Sequence, residues 1–568
     1  MIIVGLNHGE INSSAVILKD GKLIAGAPEE RFNRIKRTNS FPQKALEFCL
    51  SQAGVDLAEC DFIAQAWNPG ANWQKYNSLI SKNRVRREDY FYSLPDNLYR
   101  ISNRTPKDWT KMSFPKDANL PPIYFVQHHR THTANAFFLS PFEEAAILTS
   151  DWRGEFESTT FAHGRGTSFE MLGTQSIPHS LGMFYATFTE VLGYRPDDDE
   201  WKVMALSAFD VNCNNHLKKI RSTYRLLDNG FFELDQSFYK GAILDQPNLY
   251  APRMIELLGG RPGKKGDELN EWSLSLARAM QLAAEEIATH MLTHLHKRTK
   301  CDNVALSGGF FMNCVYNGKV LDQTPFKNLY VSYAPADVGN SIGAALYVAH
   351  VIHDEKRVYS FNSSYIGPDY ADKDIENALN RRRIKFKIME LPAREVATLL
   401  SKGEIVAHFD GKMEFGERAL GNRSIIADPR PKDMKDRINS MIKYRESYRP
   451  FAPAVLHEKV HEIFDVEPDY DCHFMEKVAL VRPKFREPLA AVTHVDGSGR
   501  LQTVNREHNS KFHAIISEFE KLAGYPVVLN TSFNINGEPI VMTPDDAIST
   551  FFNSGLTNLV LGKYLITK

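Results

Sequence analysis

The feature that most restricts the fold is a strand pattern that occurs twice. The chain opens with three apolar runs, "MIIVGL", "SAVILKDG" and "KLIAGAPEE", and Asp20-Gly21 suits a tight turn between the last two. Further on the same order returns as "AAILTSDWRG", "ESTTFAHG" and "SFEMLGTQSI". Each copy begins with an apolar run that ends in a polar, glycine-containing loop. Strand, turn, strand, turn, strand, twice in one chain, predicts a duplicated architecture.

A helix is expected between the copies at "FPQKALEFCLSQAGV", followed by a polar, aromatic insertion from about Trp67 to Pro122. After the second copy, "LNEWSLSLARAMQLAAEEIATHMLTHLHKRT" carries apolar residues at three- and four-residue spacing, which predicts a long amphipathic helix. Next come "CDNVALSGGFFMNCVYNGKVL", read as strand, Gly-Gly loop and helix, and "LYVSYAPADVGNSIGAALYVAHVIH", with the same logic. The alternation predicts an α/β protein. Duplicated meanders with following helices resemble the actin-like and sugar-kinase fold, in which the ligand lies between the halves. Near residue 355 the chain becomes polar and turn-rich, so a boundary is expected at 355–370, with one domain over 1–355 and a smaller α/β domain over 370–568.

Composition narrows the partners. Apolar residues make up 43% and charged residues 24% of the 568, with a formal net charge of −1, so no global field attracts nucleic acid or an anionic membrane. Six cysteines at positions 49, 60, 213, 301, 314 and 472 form no Cys-x-x-Cys pair, and buried reduced thiols are expected. "MIIVGLNHGE" lacks a basic region before an apolar core, and no apolar run reaches the roughly 20 residues of a membrane span. The expected location is cytoplasmic.

"VQHHRTHTANAFF" packs three histidines and an arginine into five residues. On a helix, His128 and His132 at i and i+4 share a face, and so do His129 and His132 at i and i+3. Spacing leaves both pairs open as metal ligands, beside a polar helix end with hydrated histidines. A zincin would need Glu directly after the first His, where His129 stands. Asp151 ends an expected strand, and Asp337 follows another in "YAPADVGN". Strand ends converge on the ligand crevice of an open α/β sheet. Two histidines with two carboxylates suit Fe(II), Mn or Zn with positions open for a ligand.

The second domain concentrates cations. "FGERALGNRSI" holds Arg418 and Arg423, "KYRESYRPFAPAV" holds Lys443, Arg445 and Arg449, and "HVDGSGRLQTV" holds Arg500. Neighbouring glycines permit close backbone approach, and Pro450 and Pro453 stiffen the loop. Asn530, Thr531 and Ser532 in "VVLNTSFN" add donors and acceptors at a strand end. In a chain of net charge −1 this density predicts a pocket for phosphate or carboxylate.

These blocks, with "PHSLGMFYATFTEVLGYRPDDDEWKVMALS", "ALSGGFFMNC" and "LNTSFNINGEPIV", resemble the signature blocks of the NodU/CmcH family of ATP-dependent O-carbamoyltransferases, in the family's order from first strand to last. The resemblance implies an actin-like transfer domain joined to a YrdC-like α/β domain. It implies that carbamoyl phosphate and ATP, taken with Mg, become carbamoyl adenylate in the second domain. A hydroxyl of a small-molecule, natural-product or sugar-like acceptor then takes the carbamoyl group at the metal of the first. On this resemblance His128, His132, Asp151 and Asp337 are the metal ligands, and His129 only supports them. Gly308, Gly309 and Asn313 hold the adenylate, and Lys36 in "EERFNRIKR" lies near the carbamoyl group. Arg418, Arg423, Lys443, Arg449, Arg500, Asn530 and Ser532 bind carbamoyl phosphate and ATP. The protein is expected to act as a monomer or homodimer.

Two positions depart from the family pattern. The first hairpin usually carries His-Asp before small residues, the His assisting proton removal from the acceptor; here Ile11 and Asn12 occupy those places, and Ile11 cannot take a proton. His8 or Glu10 are the expected substitutes, which leaves open a relative with altered acceptor chemistry or none. In "VMALS", Ala205 replaces a usual Gly. An actin-like kinase or ATPase is the competing class, but it explains neither the metal-ligand candidates nor the second domain's cations. RNA binding finds no basic stripe. The aromatics Trp73, Tyr76, Tyr90, Phe91, Tyr92 and Trp109 of the insertion are expected to wall the acceptor pocket.

Overall fold

Both predicted meanders form, and each grows into a sheet. The computed structural model describes every residue except Glu10, residues 69–107, residues 242–247, Lys265, residues 359–362 and Ser447. Glu10 and the insertion aromatics Trp73, Tyr76, Tyr90, Phe91 and Tyr92 therefore lie outside the described residues. The chain divides into two units, one of Met1–Ala25 with Asn39–Asn362, the other of Gly26–Thr38 with Ser363–Lys568. The segment Gly26–Thr38, which carries Lys36, thus groups with the second unit although the sequence assigned it to a first domain running unbroken over 1–355.

Strands β1 (Ile2–Asn7), β2 (Ser14–Lys19), β3 (Lys22–Pro28), β4 (Phe62–Gln65), β5 (Trp109–Met112) and β6 (Ile123–Val126) are ordered β3-β2-β1-β4-β6-β5, all in the first unit but the last three residues of β3. A second sheet contains β7 (Glu144–Ser150), β8 (Glu157–Arg165) and β9 (Ser168–Ser176). After a small hairpin of β10 (Tyr224–Leu226) and β11 (Phe232–Leu234), it is completed by β12 (Asn303–Ser307) and β13 (Asn328–Val331) in the order β13-β12-β7-β8-β9. Apart from the edge strand β5, each sheet reads as an antiparallel meander whose first strand is joined by two parallel strands. This is the duplicated actin-like arrangement. The central strands β1 and β7 are buried almost throughout, as sheets covered on both faces require.

The repeats exchange helices. His128–Leu139 follows β6 of the first sheet but lies on β7, β8 and β12 of the second. Asn340–Leu346 follows β13 of the second sheet but lies on β1, β2 and β4 of the first. The two helices cross against each other: a Cβ on Gly343 would stand 1.9 Å from the Thr131 carbonyl oxygen, so only glycine allows the approach. The long helix forms over Glu271–Thr299, with Asn270 accepting from the Ser273 amide at 2.9 Å as its cap.

The second unit holds an eight-stranded mixed sheet. Its strands are β14 (Lys387–Ile388), β15 (Val406–Phe409), β16 (Arg423–Ala427), β17 (Ala452–Leu456), β20 (Gln502–Val504), β21 (Val527–Ser532), β22 (Asn558–Leu561) and β23 (Tyr564–Thr567). The remaining strands, β18 (Val478–Leu480) and β19 (Ser498–Arg500), pair apart from it. Alternate residues feed two cores. Val406, Ile426, Val528 and Val560 face the helices Pro392–Ser401 and Ser510–Ala523, while Ala407, Ile425, Leu529 and Leu559 face Asp372–Arg381 and Pro544–Phe552. All six cysteines are free and buried, and no described helix is long and apolar enough to cross a membrane.

Candidate metal centre and anion site

The helix His128–Leu139 is buried over all twelve residues, which excludes a hydrated polar helix end. Each polar side chain on it therefore needs a partner. Arg130 makes a two-pronged pair with Glu157 at 3.0 and 3.2 Å, and Thr131 and Thr133 donate back to the His128 and His129 carbonyls, both at 2.7 Å. His129 turns away, its Nδ1 2.8 Å from the Thr149 hydroxyl on β7.

His128 and His132 turn inward together. Their Nε2 atoms are 3.1 Å apart, Asp151 Oδ2 lies 3.1 and 3.2 Å from them, and Asp337 Oδ1 lies 3.5 Å from each. Donor atoms about 2.1 Å from a shared ion and at tetrahedral or octahedral angles stand roughly 3.0–3.4 Å from one another. The four donors lie within 4.8 Å of one another and approximate that spacing. The tautomer also fits. Ser307 gives its hydroxyl proton to the Pro335 carbonyl at 3.0 Å, so it accepts from His132 Nδ1 at 3.2 Å and leaves the Nε2 lone pair for a cation. The residues present therefore suit a divalent ion held by two nitrogens and two carboxylates.

The surroundings divide the labour within Asp151. Its Oδ1 accepts from the amides of Trp152 at 2.8 Å and Gly309 at 3.2 Å, which leaves Oδ2 to the histidines. A Cβ on Gly309 would come within 2.8 Å of that Oδ1, so this glycine shapes the ligand itself. Gly308 has φ +104, and a Cβ there would meet the Ser150 carbonyl at 2.2 Å. Asn313 caps Tyr316 and exchanges hydrogen bonds with Gln281, so its amide is already engaged. Asn340 Nδ2 approaches His132 Nε2 at 3.2 Å and Asp337 Oδ1 at 3.4 Å.

On the protein's own charges, burial opposes ionisation of His128, but Asp337 and Asp151 outweigh it and raise the imidazole to about 9. Burial favours neutral Asp151 as well, yet the two histidines beside it hold it well below the usual carboxylate range, while burial and the Asp151 charge push Asp337 up. A bound cation would take the place of the His128 proton.

Sequence reasoning missed Glu155. Both its oxygens accept from the His128 amide, at 3.0 and 3.1 Å, and one also accepts from the Asn68 amide at 2.7 Å. The carboxylate caps the ligand helix from the loop that supplies Asp151, and burial pushes it up to about 7. Gly154 lets this loop lie flat, since a Cβ there would touch His128 Cβ at 3.1 Å.

In the first hairpin, Asn12 has φ 56, a left-handed conformation that Asn tolerates, and Asn7 Nδ2 donates to the Ile11 and Asn12 carbonyls at 3.2 Å each. His8 packs edge-on against Phe41, and burial lowers its pKa. Ser14 donates to the Val338 carbonyl at 2.8 Å, which ties the hairpin to the Asp337 loop. Trp109 of the insertion lies edge-on to Tyr124, and Ala205 occupies an ordinary helical position in Glu200–Leu206.

In the second unit the structure gathers most of the predicted cations. Lys443 Nζ is buried, donating to the Ser532 carbonyl and to Asn534 Oδ1 at 2.8 Å, with Ser532 Oγ at 3.3 Å. Burial, Arg445 and Arg449 lower Lys443 well below its ordinary range, and burial, Arg449 and Arg500 bring Arg445 to about 8. Cations that disfavour one another's charge are relieved by an anion. Asn530 lies alongside on β21, its amide donating to Gln502 Oε1 at 2.7 Å. Arg418 and its neighbour Glu417 are both half-buried.

Arg423 departs from the expectation of a phosphate ligand. It is fully buried, its guanidinium donates to the carbonyls of Asp410, Gly411, Asn422 and Pro368, and it stacks 3.7 Å over the Phe409 ring. Both its terminal nitrogens are spent on backbone, so it holds the fold. From Gly26–Thr38, Arg31 donates to the Gly416 carbonyl at 2.9 Å and Arg34 to those of Ile540 and Pro539 at 2.7 and 2.8 Å, while Lys36 is exposed.

The chain matches two family models, carbamoyltransferase N-terminus over residues 3–346 and carbamoyltransferase C-terminus over residues 397–568. It is 34% identical to an uncharacterized protein of Synechocystis sp., covering all of this chain and 96% of that one. It is 37% identical to nodulation protein NolNO of Sinorhizobium fredii, covering 98% of this chain and 79% of that one. It is 27% identical to 3'-hydroxymethylcephem-O-carbamoyltransferase of Amycolatopsis lactamdurans, covering 77% of this chain and 79% of that one.

Proposed function

Because the chain belongs to the carbamoyltransferase family, we propose that it makes carbamoyl adenylate in a YrdC-like second unit and transfers the carbamoyl group to a small-molecule hydroxyl in the first. The observation that carries this reading is the convergence of His128, His132, Asp151 and Asp337 on one point. A hydroxyl acceptor is supported by the Amycolatopsis relative, a 3'-hydroxymethylcephem-O-carbamoyltransferase.

The reaction balances in three steps. Water converts carbamoyl phosphate to carbamate and phosphate; the carbamate oxygen displaces pyrophosphate from the α-phosphorus of MgATP; the acceptor oxygen then displaces AMP from the carbamoyl carbon and loses its proton. In the second unit Lys443, Arg449, Arg500 and Arg418 offset the repulsion between two phosphorylated substrates. Ser532 and Asn530 supply orienting polar atoms. In the first unit the Gly308–Gly309 loop, packed against Ser150 and Asp151, would hold the adenylate through its backbone beside the metal ligands, since the Asn313 amide is paired within the fold.

His128, His132, Asp151 and Asp337 would hold a divalent ion, Fe(II) first and Mn or Zn as alternatives, which supplies Lewis acidity to a carbonyl or phosphate oxygen. His8, kept neutral by burial, suits acceptance of the hydroxyl proton. Asn12 serves the hairpin through its backbone conformation. Incubation with ATP and carbamoyl phosphate tests the reading: AMP and pyrophosphate should form only when both are present, and a candidate alcohol should gain the mass of one carbamoyl group. ADP formation would instead identify a kinase.

A further inference from the structure

We infer that Cys301, His163 and Glu144 form a second metal site, of the zinc class, at the opposite end of β7 from Asp151. Their donor atoms lie within 4.8 Å of one another. The topology explains the meeting. Glu144 begins β7; His163 on β8 pairs opposite Ala146, two residues along and on the same face as Glu144. On the other side, β12 pairs its Val304 with Ala146, and Cys301 stands just before that strand. Neighbouring strands thus deliver an imidazole and a thiol to one end of the central strand.

The local bonds match a site open to a cation. His163 Nε2 lies 2.8 Å from Glu144 Oε1, and the Cys301 thiol points at the Glu144 carbonyl, 3.7 Å away. Among the described residues a competing charge is Arg165, whose Nε also bonds Glu144 Oε1 at 2.9 Å. Arg165 is 70% and Glu144 46% exposed, and such an exposed, solvent-screened pair is weak, so a dication can displace it. On binding, the thiol proton leaves to solvent and the thiolate, imidazole and carboxylate become three ligands, with water in the fourth position. Sulfur separates this site from the His128 centre, whose donors are nitrogen and oxygen alone, and favours Zn(II) or Co(II) of the thiolate-bound kind.

The test is an anaerobic Co(II) titration of the chelator-stripped full chain, read by thiolate-to-cobalt charge-transfer absorption. The His128 centre contains no sulfur and adds nothing to that band. We expect the band to saturate at one equivalent in His132→Ala, by two equivalents in the unaltered protein, whose His128 centre takes up Co(II) without adding to the band, and to vanish in Cys301→Ala. Arg165→Ala removes the competitor and should tighten Co(II) binding by about two- to fivefold, a gain that misfolding cannot imitate. No band in the unaltered protein, a band that survives Cys301→Ala, or binding that Arg165→Ala leaves equal or weaker would each overturn the assignment.

Discussion

Glu155 grips His128 through the backbone: both carboxylate oxygens accept from the His128 amide, at 3.0 and 3.1 Å, four residues after Asp151 in the chain. One short loop therefore supplies one metal ligand and fixes the start of the helix that supplies two others. Glu155→Gln keeps the shape but loses the charge and one acceptor. Residues that orient ligands typically contribute about 10- to 100-fold to metal affinity. We expect a loss of that order in chelator-competition measurements, with folding retained; unchanged affinity would reduce Glu155 to a structural cap.

His132→Ala should abolish metal binding at the first centre and carbamoyl transfer together. Pyrophosphate release dependent on carbamoyl phosphate should continue, because adenylation is placed in the second unit. Metal content by elemental analysis and pyrophosphate assay of the same preparation check both halves.

Lys443→Ala and Arg449→Ala should show the opposite pattern, with normal metal content and carbamoyl adenylate formation lowered at least about 100-fold. Lys443 also holds the Ser532–Asn534 turn, so part of its loss will be positional. Arg449→Lys keeps the charge, and partial rescue there would show that an anion is being held. Normal pyrophosphate release in either alanine variant would remove this cluster from the reaction.

Arg423→Lys should destabilise the second unit without altering its affinity for carbamoyl phosphate. Lysine cannot reach the carbonyls that Arg423 serves, and each buried polar group left unpaired costs about 1–3 kcal/mol. A denaturant midpoint equal to that of the unaltered protein would contradict the structural role.

His494 links the second unit's stability to acid. Burial and the nearby Arg500 bring its pKa down to about 4 from 6.5, so the neutral form is the one the fold accommodates. A depressed pKa contributes stability that is present above pH 6.5 and is lost as pH falls through about 4. His494→Gln should flatten the fall of Tm across that window, measured against the unaltered protein.

The architecture was legible where pattern reports topology directly. Two meanders of alternating turns and apolar runs announced the two sheets, and polar residues after strand ends announced ligand positions. Choosing between His128 and His129 was beyond spacing, because the decision rests on Thr149, a residue on a strand 20 positions away that takes the His129 ring. Arg423 could not be told from Arg418 by composition, since burial depends on which strand faces Phe409. The grouping of Gly26–Thr38 with the second unit is likewise tertiary: Arg31 and Arg34 find their carbonyl partners 385 and 506 residues later. Glu155 left only a faint trace, a carboxylate after glycine in "SDWRGE".

The exchanged helices give the metal centre a divided ancestry. Both histidines come from the first repeat and both aspartates from the second, on either side of the connection between Leu139 and Glu144. Neither half alone possesses more than two ligands. Binding of the ion is therefore a report that the two halves have found each other, and a chain severed in that connection would regain tight binding only by reassembly. In this protein the capacity for chemistry at the first centre is a property of an internal partnership, built into one polypeptide.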